Sequence, residues 1–153
     1  MPTIKHIREC TATEQQAIFD LYCSSFEYYK VEYDDTKQRA LIDTLLQSDW
    51  FDALIYFDET TPLAYCFFVK TYTSLHAAMG LRIEEMFVAT KFQNQGIGTQ
   101  LVKHFVQHAE TTGVKKLFLD TRTSGDNPFL FYQRLGFKKN KDLIPLIQLT
   151  QCD

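Results

Sequence analysis

A short glycine-containing segment has the composition of a turn that binds an anion. Residues 93–98 read Gln-Asn-Gln-Gly-Ile-Gly; they follow a strand-like run at 83–88 and precede a helical pattern whose apolar residues recur every four positions from Ile97 to Ala109. Glycine lets the backbone approach a ligand closely, and the unpaired N–H groups at a helix start favour an anion. Residues 94–99 are therefore predicted to bind a phosphate-bearing ligand, although a plain turn has the same composition.

The glycine spacing excludes two common nucleotide motifs. A dinucleotide-binding turn has a third glycine three residues after Gly98, where this chain has Leu101. A P-loop requires a lysine directly after its last glycine, and here Gly98 is followed by Thr99. The expected ligand is thus a phosphate-bearing molecule of another class.

The sequence resembles the GNAT superfamily of N-acetyltransferases in two segments. Residues 93–98 match its acetyl-CoA motif, (Arg/Gln)-x-x-Gly-x-(Gly/Ala), and residues 131–137, Phe-Tyr-Gln-Arg-Leu-Gly-Phe, are similar to its second signature, Phe-Tyr-x-x-x-Gly-Phe. One helix and the strand-like run 116–121 separate the two segments, as in that family. The resemblance is sharp over residues 80–139. It implies acetyl-CoA as the cosubstrate, no metal, a small-molecule amine as the acceptor, and a homodimer.

The resemblance also implies a set of acetyl-CoA contacts. The backbone of residues 94–99 would wrap the pyrophosphate, and Gln93, where many members have Arg, would offer a hydrogen bond in place of a positive charge. A strand backbone would pair with the pantetheine arm, and the N–H near Val88 would stabilise the oxyanion. The cofactor-binding residues are expected to be Met86, Phe87, Val88, Gln93, Asn94, Gln95, Gly96, Ile97, Gly98, Thr99, Asn127 and Phe131.

Two residues are candidates for proton transfer. Tyr132 occupies the position of the tyrosine that acts as general acid in many family members; with a pKa of about 10 it carries a proton that a leaving thiolate can take. Strand alternation predicts Glu84 and Glu85 on opposite faces, so only one of them can point at the acceptor. The diamine-acetylating branch of the family has a glutamate four residues before the valine. Here that residue is Glu84, the expected general base.

The acceptor is expected to be a small cationic amine. Residues 26–35 combine aromatic side chains with carboxylates, a composition that suits a cation and equally suits a surface loop. Polyamine, diamine or lysine-like compounds are the expected class, as in the polyamine and thialysine branch. An aminoglycoside, a protein N-terminus or lysine, and a non-catalytic acyl-CoA sensor are the alternatives. The expected substrate contacts are Glu27, Tyr28, Tyr29 and Glu84, with Glu32, Asp34 and Asp35 at the rim.

The predicted helices and strands indicate an α+β fold in one domain, residues 1–153. The expected architecture is a central mixed, mostly antiparallel sheet of about seven strands flanked by about four helices. A capping box at Thr11 and Glu14 predicts the first helix, and Pro145 places the last strand at an edge or a bulge. Strands are predicted at 3–9, 53–57, 63–71, 81–89, 115–121, 137–138 and 143–149. Helices are predicted at 11–24 and 36–48, from the glycine turn to 112, and from 126–128 onward.

Composition limits the other function classes. A net charge of −3 and a pI near 5.8 give no electrostatic signature of nucleic-acid binding. No apolar run approaches the ~20 residues of a membrane span. His104 and His108 could chelate a metal but lack a third ligand, so packing at the helix edge is the preferred interpretation. A cytoplasmic protein with reduced thiols is expected, because no metal or redox spacing relates the four cysteines, Cys10, Cys23, Cys66 and Cys152.

Overall fold

The computed structural model describes residues 1–122 and 128–150, without the side chain of Leu75. Residue contacts divide the chain into two compact units, residues 1–120 and residues 121–153. The first unit contains a mixed five-stranded sheet in the order β1-β2-β3-β4-β5. Its strands are β1 Pro2–His6, β2 Phe51–Asp58, β3 Thr61–Thr73, β4 Ala78–Val88 and β5 Lys116–Leu119. The helices of this unit are α1 Ala12–Tyr29, α2 Asp35–Gln47 and α3 Ile97–Thr111.

The pairing of the strands follows from their connections. Strands β1 to β4 pair antiparallel, whereas β4 and β5 are parallel because α3 carries the chain back between them. Helices α1 and α2 bury Phe19, Tyr22 and Leu45 in one core with the sheet residues Tyr65 and Phe67. Helix α3 packs on the strands through Phe105, whose ring is 5.1 Å from that of Phe68. The sheet is therefore covered on both faces, which explains the nearly continuous buried residues of β2 and β3.

The N-terminal elements differ from the predicted boundaries. Strand β1 ends at His6 and not at residue 9, because the His6 N–H donates to the Glu9 carboxylate at 2.7 Å and the chain turns through a short 3₁₀ segment. The predicted capping box of α1 is confirmed, with Thr11 and Glu14 bonded to each other's backbone N–H. Helix α1 continues to Tyr29, five residues beyond the predicted end. It stops at Lys30, which adopts a left-handed φ of 56°.

The second unit contains helix α4, Pro128–Arg134, and an irregular C-terminal segment. The predicted closing strands at 137–138 and 143–149 are wrong, so the sheet has five strands within the described residues, where about seven were expected. The leucine and isoleucine side chains of residues 143–149 are 65–93% exposed, and Pro145 removes one backbone donor. The α+β class, the mixed and mostly antiparallel sheet, and four α-helices among the described residues are confirmed.

No helix within residues 1–122 and 128–150 is long and apolar enough to cross a bilayer.

Candidate active site

The glycine segment forms an uncapped helix start. Asn94 and Gly96 adopt left-handed φ values of 61° and 81°, and α3 begins directly after Gly96. No side chain caps this helix, so the N–H groups of its first turn, which include those of Gly98 and Thr99, have no intrahelical acceptor. A Cβ added at Gly96 would meet nothing within 4 Å. The segment therefore combines open space beside Gly96 with free backbone donors at the positive end of the α3 dipole, which suits a phosphate.

Two glutamine side chains hold this segment in place. The Gln93 amide donates to the Val88 carbonyl at 3.0 Å, and the Gln95 amide donates to the Lys91 carbonyl at 3.2 Å. The bond from Gln93 links the segment to the end of β4, and the expected hydrogen bond from Gln93 to the cofactor stays a prediction. The side chains thus fix the turn, and the backbone N–H groups are available for an anion.

Strand β4 loses its neighbour on one edge halfway along its length. Its pairing with β5 ends at Ile83, opposite Leu119, whereas its pairing with β3 continues to Val88. Among the described residues, no strand covers the β5 edge of residues 84–88. An extended ligand arm can bind to such an edge as an added strand, and Met86, Phe87 and Val88 lie there. The Phe87 side chain is buried in the core, so the predicted contact depends on the backbone.

A β-bulge changes the directions of the two glutamates. Phe67 pairs with Glu85 but Phe68 pairs with Ile83, so Glu84 is the extra residue on β4. Strict alternation predicted Glu84 and Glu85 on opposite faces; the bulge interrupts that alternation, and both residues line the same cavity. Sequence analysis missed Glu85 as a site residue because the bulge has no local signal in the sequence.

The two glutamates have different surroundings. The Glu84 side chain is 45% exposed and accepts from the Arg82 guanidinium at 3.1 Å. Glu85 is half-buried and accepts from the Tyr65 hydroxyl at 2.6 Å. Burial raises the pKa of the Glu85 carboxyl, and the hydrogen bonds from Tyr65 and Ser25 oppose that change only in part.

The cavity beside the glutamates has a volume of about 660 Å³, within the usual range for small-molecule sites. It lies between α2, the start of β2, and the middle of β3 and β4. The other lining residues are Leu41, Trp50, Phe51, Phe67, Val69 and Lys70, none of which was predicted from the sequence. The only available signal was a single tryptophan next to a strand start, which is weak on its own.

The predicted acceptor residues at the end of α1 lie outside this lining. Tyr28 and Tyr29 pack their rings against Phe87 at 5.6 Å and 6.1 Å, and Glu27 is exposed. Two of the carboxylates predicted at the rim serve local structure: Asp34 caps α2, and Asp35 forms an ion pair with Arg39 at 2.9 Å. Glu32 is exposed. A role for the α1 end in acceptor binding stays a prediction.

The second signature forms a helix stop around Tyr132. Gly136 adopts a φ of 96°, the Phe137 N–H donates to the Tyr132 carbonyl, and the Gly136 N–H donates to the Gln133 carbonyl. These are the two bonds of a Schellman motif, in which an apolar residue after the glycine contacts the last helical turn. Phe137 makes that contact, with its ring 5.6 Å from that of Tyr132. The motif thus fixes a buried Tyr132 against Phe131 and Phe137.

The remaining sequence candidates have other environments. Asn127, predicted to bind the cofactor, lies outside the described residues, as does Cys152. Burial raises the pKa of the Cys10 thiol to about 11, which disfavours a nucleophilic thiolate. His108 packs its ring against those of His6 and Phe68. Within residues 1–122 and 128–150, no group of three or more His, Cys, Asp or Glu residues is placed to hold a metal.

Comparison with known proteins identifies the family. The sequence matches the acetyltransferase (GNAT) family over residues 16–137, which is most of the chain. The chain belongs to this family. Both the uncapped glycine turn and the Schellman motif of α4 lie within the matched range.

Individual relatives of this GNAT protein share less sequence. The [ribosomal protein bS18]-alanine N-acetyltransferase of Salmonella typhimurium is 38% identical over 48 residues, and the match spans 31% of this chain and 32% of that relative. A solved structure described as a probable acetyltransferase superposes with a TM-score of 0.86 at 15% identity, covering 99% of both chains. The aminoglycoside N-acetyltransferase AAC(6')-Iy, solved with CoA, gives a TM-score of 0.81 at 15% identity, covering 99% of this chain and 96% of that one. At these identities the likeness to the solved structures shows a shared fold.

Proposed function

We propose that the protein transfers the acetyl group of acetyl-CoA directly to a primary amine of a small cationic acceptor. The supporting observation is the end of β4–β5 pairing at Ile83, which leaves the strand edge directly beside Glu84 and Glu85 unpaired with any strand of the described residues. A pantetheine arm bound along this edge would deliver its thioester next to the two carboxylates. Diamines and lysine-like compounds are the members of this class that the sequence suggested.

The residues at the turn fit acetyl-CoA. Phosphates would bind the backbone N–H groups of residues 94–99, where the space in front of Gly96 is open. The arm would extend along the free edge of Met86, Phe87 and Val88, beside the carboxylates. Family membership and this pair of features support acetyl-CoA as the cosubstrate.

The proposed chemistry assigns one task to each group. Glu84 accepts a proton from the acceptor ammonium, so that the neutral nitrogen attacks the thioester carbonyl and a C–N bond forms. The N–H near Val88 stabilises the oxyanion of the tetrahedral species. The C–S bond then breaks, the leaving thiolate takes a proton from Tyr132, and the second proton of the attacking nitrogen passes to the Tyr132 phenolate, which leaves the amide and free CoA thiol. Asn127 and Phe131 complete the proposed cofactor contacts.

Two further properties are proposed from the resemblance and the thiols. We expect a homodimer, as in the family, which light scattering of the purified protein would test. We also expect a cytoplasmic location, because Cys10, Cys23 and Cys66 are free thiols. Fractionation of the source cells would test that location.

Release of free CoA thiol from acetyl-CoA in the presence of an amine panel tests the proposed activity. The panel should contain cadaverine, lysine, phenethylamine, an aminoglycoside and a peptide with a free N-terminus. We expect turnover with the small cationic amines, because the cavity is lined by two carboxylates. Acetyl-CoA binding without thiol release on any amine would assign the protein to the non-catalytic sensors. Preferred turnover of the aminoglycoside or the peptide would reject the small-acceptor proposal.

A further inference from the structure

The acceptor cavity has an apolar wall as well as charged residues. Five of its eight lining residues are apolar: Leu41, Trp50, Phe51, Phe67 and Val69. The charged residues are Glu84, Glu85 and Lys70. An amine that binds near the two carboxylates has these apolar residues beside it, where the rest of the acceptor can pack. The lining therefore suits a cationic amine with an apolar body.

Trp50 presents an aromatic surface in this wall. Its side chain is 52% exposed, although tryptophan is highly buried on average. The indole stacks on Phe51 with ring centroids 5.7 Å apart and planes at 20°. The Trp50 carbonyl accepts the Lys70 N–H at 2.8 Å, which ties the backbone at this point to β3. A half-exposed indole that lines a cavity is a suitable surface for a flat apolar group.

Glu85 supplies a carboxylate that forms no ion pair with a basic side chain of the described residues. Glu84 forms an ion pair with Arg82, which also binds Asp120. In the part of the chain that the structure describes, no Lys, Arg or His side chain forms an ion pair with Glu85. Its hydrogen bond from Tyr65 orients the carboxylate but leaves its charge uncompensated. A half-buried carboxylate of this kind attracts a cationic ligand.

We propose that the cavity selects arylalkylamines, with the ammonium paired to Glu85 and the ring against Trp50. This inference rests on the proposed acetyltransferase function and narrows its acceptor class. Glu85 and Trp50 are then specificity-determining residues, whereas Glu84 is the base.

The emission of Trp50 measures this binding directly, because the chain has one tryptophan. Phenethylamine, butylamine and phenethyl alcohol should be titrated with and without saturating CoA. Phenethylamine should shift the emission saturably and bind about tenfold more tightly than butylamine, which lacks the ring, or phenethyl alcohol, which lacks the charge. Equal affinity for either analogue would overturn the inference. Tighter binding of a peptide with an N-terminal Phe would overturn it in favour of a polypeptide acceptor.

Variants separate the two contacts. Glu85→Gln keeps an acceptor for the Tyr65 hydroxyl and should weaken phenethylamine binding about tenfold without changing phenethyl alcohol binding. Trp50→Leu, measured by calorimetry, should lose the ring preference, and Trp50→Phe should restore it. Glu110→Gln and Tyr72→Leu, which change exposed residues outside the cavity, are the matched controls. An unchanged phenethylamine affinity in both Glu85→Gln and Trp50→Leu would reject the proposed site.

Failure of this inference is distinguishable from failure of the activity. Selective phenethylamine binding without thiol release would support the site and reject the acetyltransferase. Thiol release at equal kcat/KM for phenethylamine and butylamine would support the acetyltransferase and reject the ring site.

Discussion

Glu84 and Glu85 are chemically identical neighbours whose surroundings give them different properties. The exposed Glu84 has the Arg82 guanidinium beside it, whereas burial raises the pKa of Glu85. Their shared cavity depends on one extra residue in β4. The resemblance to the diamine-acetylating branch selected Glu84, four residues before Val88, as the expected base, and this role stays a prediction. The sequence was insufficient to find Glu85, because a bulge depends on the register with β3, which no local pattern of β4 contains.

Replacement of Glu84 tests the base. Glu84→Gln removes the proton acceptor and should lower kcat/KM by roughly 10²–10⁴ at neutral pH. The loss should be smaller at a pH of about 9, where more of the amine is already neutral. Steady-state rates across this pH range measure the effect, with Glu110→Gln as the control. A loss that does not depend on pH would contradict a role in removing the amine proton.

Replacement of Tyr132 tests the general acid. Tyr132→Phe retains the ring contacts with Phe131 and Phe137 and removes only the hydroxyl. We expect unchanged acetyl-CoA affinity and a kcat lower by roughly 10²–10⁴. Tyr72→Phe, at an exposed position of β3, is the control. An unchanged kcat at pH 7, with thiol release shown to be rate-limiting, would assign Tyr132 to packing.

At the scale of elements, the structure confirms the two predicted helix starts that depend on residues close together in the sequence. The capping box of α1 involves residues three apart, and the start of α3 depends on consecutive glycine-rich positions. The length of α1 was underestimated because its last turn is stabilised by Tyr29 packing on Phe87, almost 60 residues away in the sequence. Contacts of that range are not visible in a helical pattern.

Replacing each of the two glycines at the ends of α3, Gly96 and Gly113, tests the phosphate site. Gly96 and Gly113 both have a positive φ, and an added Cβ meets nothing within 4 Å at either one. Leucine at either position should therefore cost a similar strain of about 1–2 kcal/mol. Only Gly96→Leu fills the space before the uncapped N–H groups, so it should weaken acetyl-CoA binding by about tenfold or more. Calorimetry on both variants measures this; equal affinities would move the phosphate site elsewhere.

At the scale of the whole molecule, the sequence predicted the fold class and the positions of the first five strands along the chain. It did not predict how many strands the sheet contains. Residues 143–149 have the composition of a strand. Their apolar side chains are nevertheless exposed, and their backbone pairs with no strand of the described residues. A strand requires a partner strand at a defined register. The composition of a segment describes that segment and gives no information about its partner. The core was more predictable: Leu101, Phe105 and Ala109 lie on the buried face of α3, as their four-residue spacing indicated.

A histidine pair between the first strand and α3 couples stability to pH. The hydrogen-bonded Asp52 carboxylate raises the pKa of His6 above 6.5, and burial lowers the pKa of His108 below 6.5. Glu9 and Arg8 are the other charged groups near His6, with opposing effects. Because the folded pKa of His6 is raised, its pairing contributes fully below pH 6.5 and is lost as the pH rises through that folded pKa.

The difference in unfolding free energy between the wild type and His6→Gln should therefore be largest in mild acid and shrink toward neutral and basic pH. Urea unfolding at several pH values measures it. His108 titrates in both proteins, so its own contribution largely cancels in the difference. NMR titration should give a higher pKa for His6 than for His108, and the reverse order would contradict the assignment.

Backbone amides on the free edge of β4 lie within a sheet, but no strand in residues 1–122 and 128–150 pairs with them there. In the ligand-free protein they should exchange with deuterium about as quickly as loop amides, whereas those directed at β3 should exchange slowly. Bound acetyl-CoA would slow the first set and leave the second unchanged. Protection that alternates with a period of two residues between Glu85 and Val88 would therefore show that the ligand binds as an additional strand.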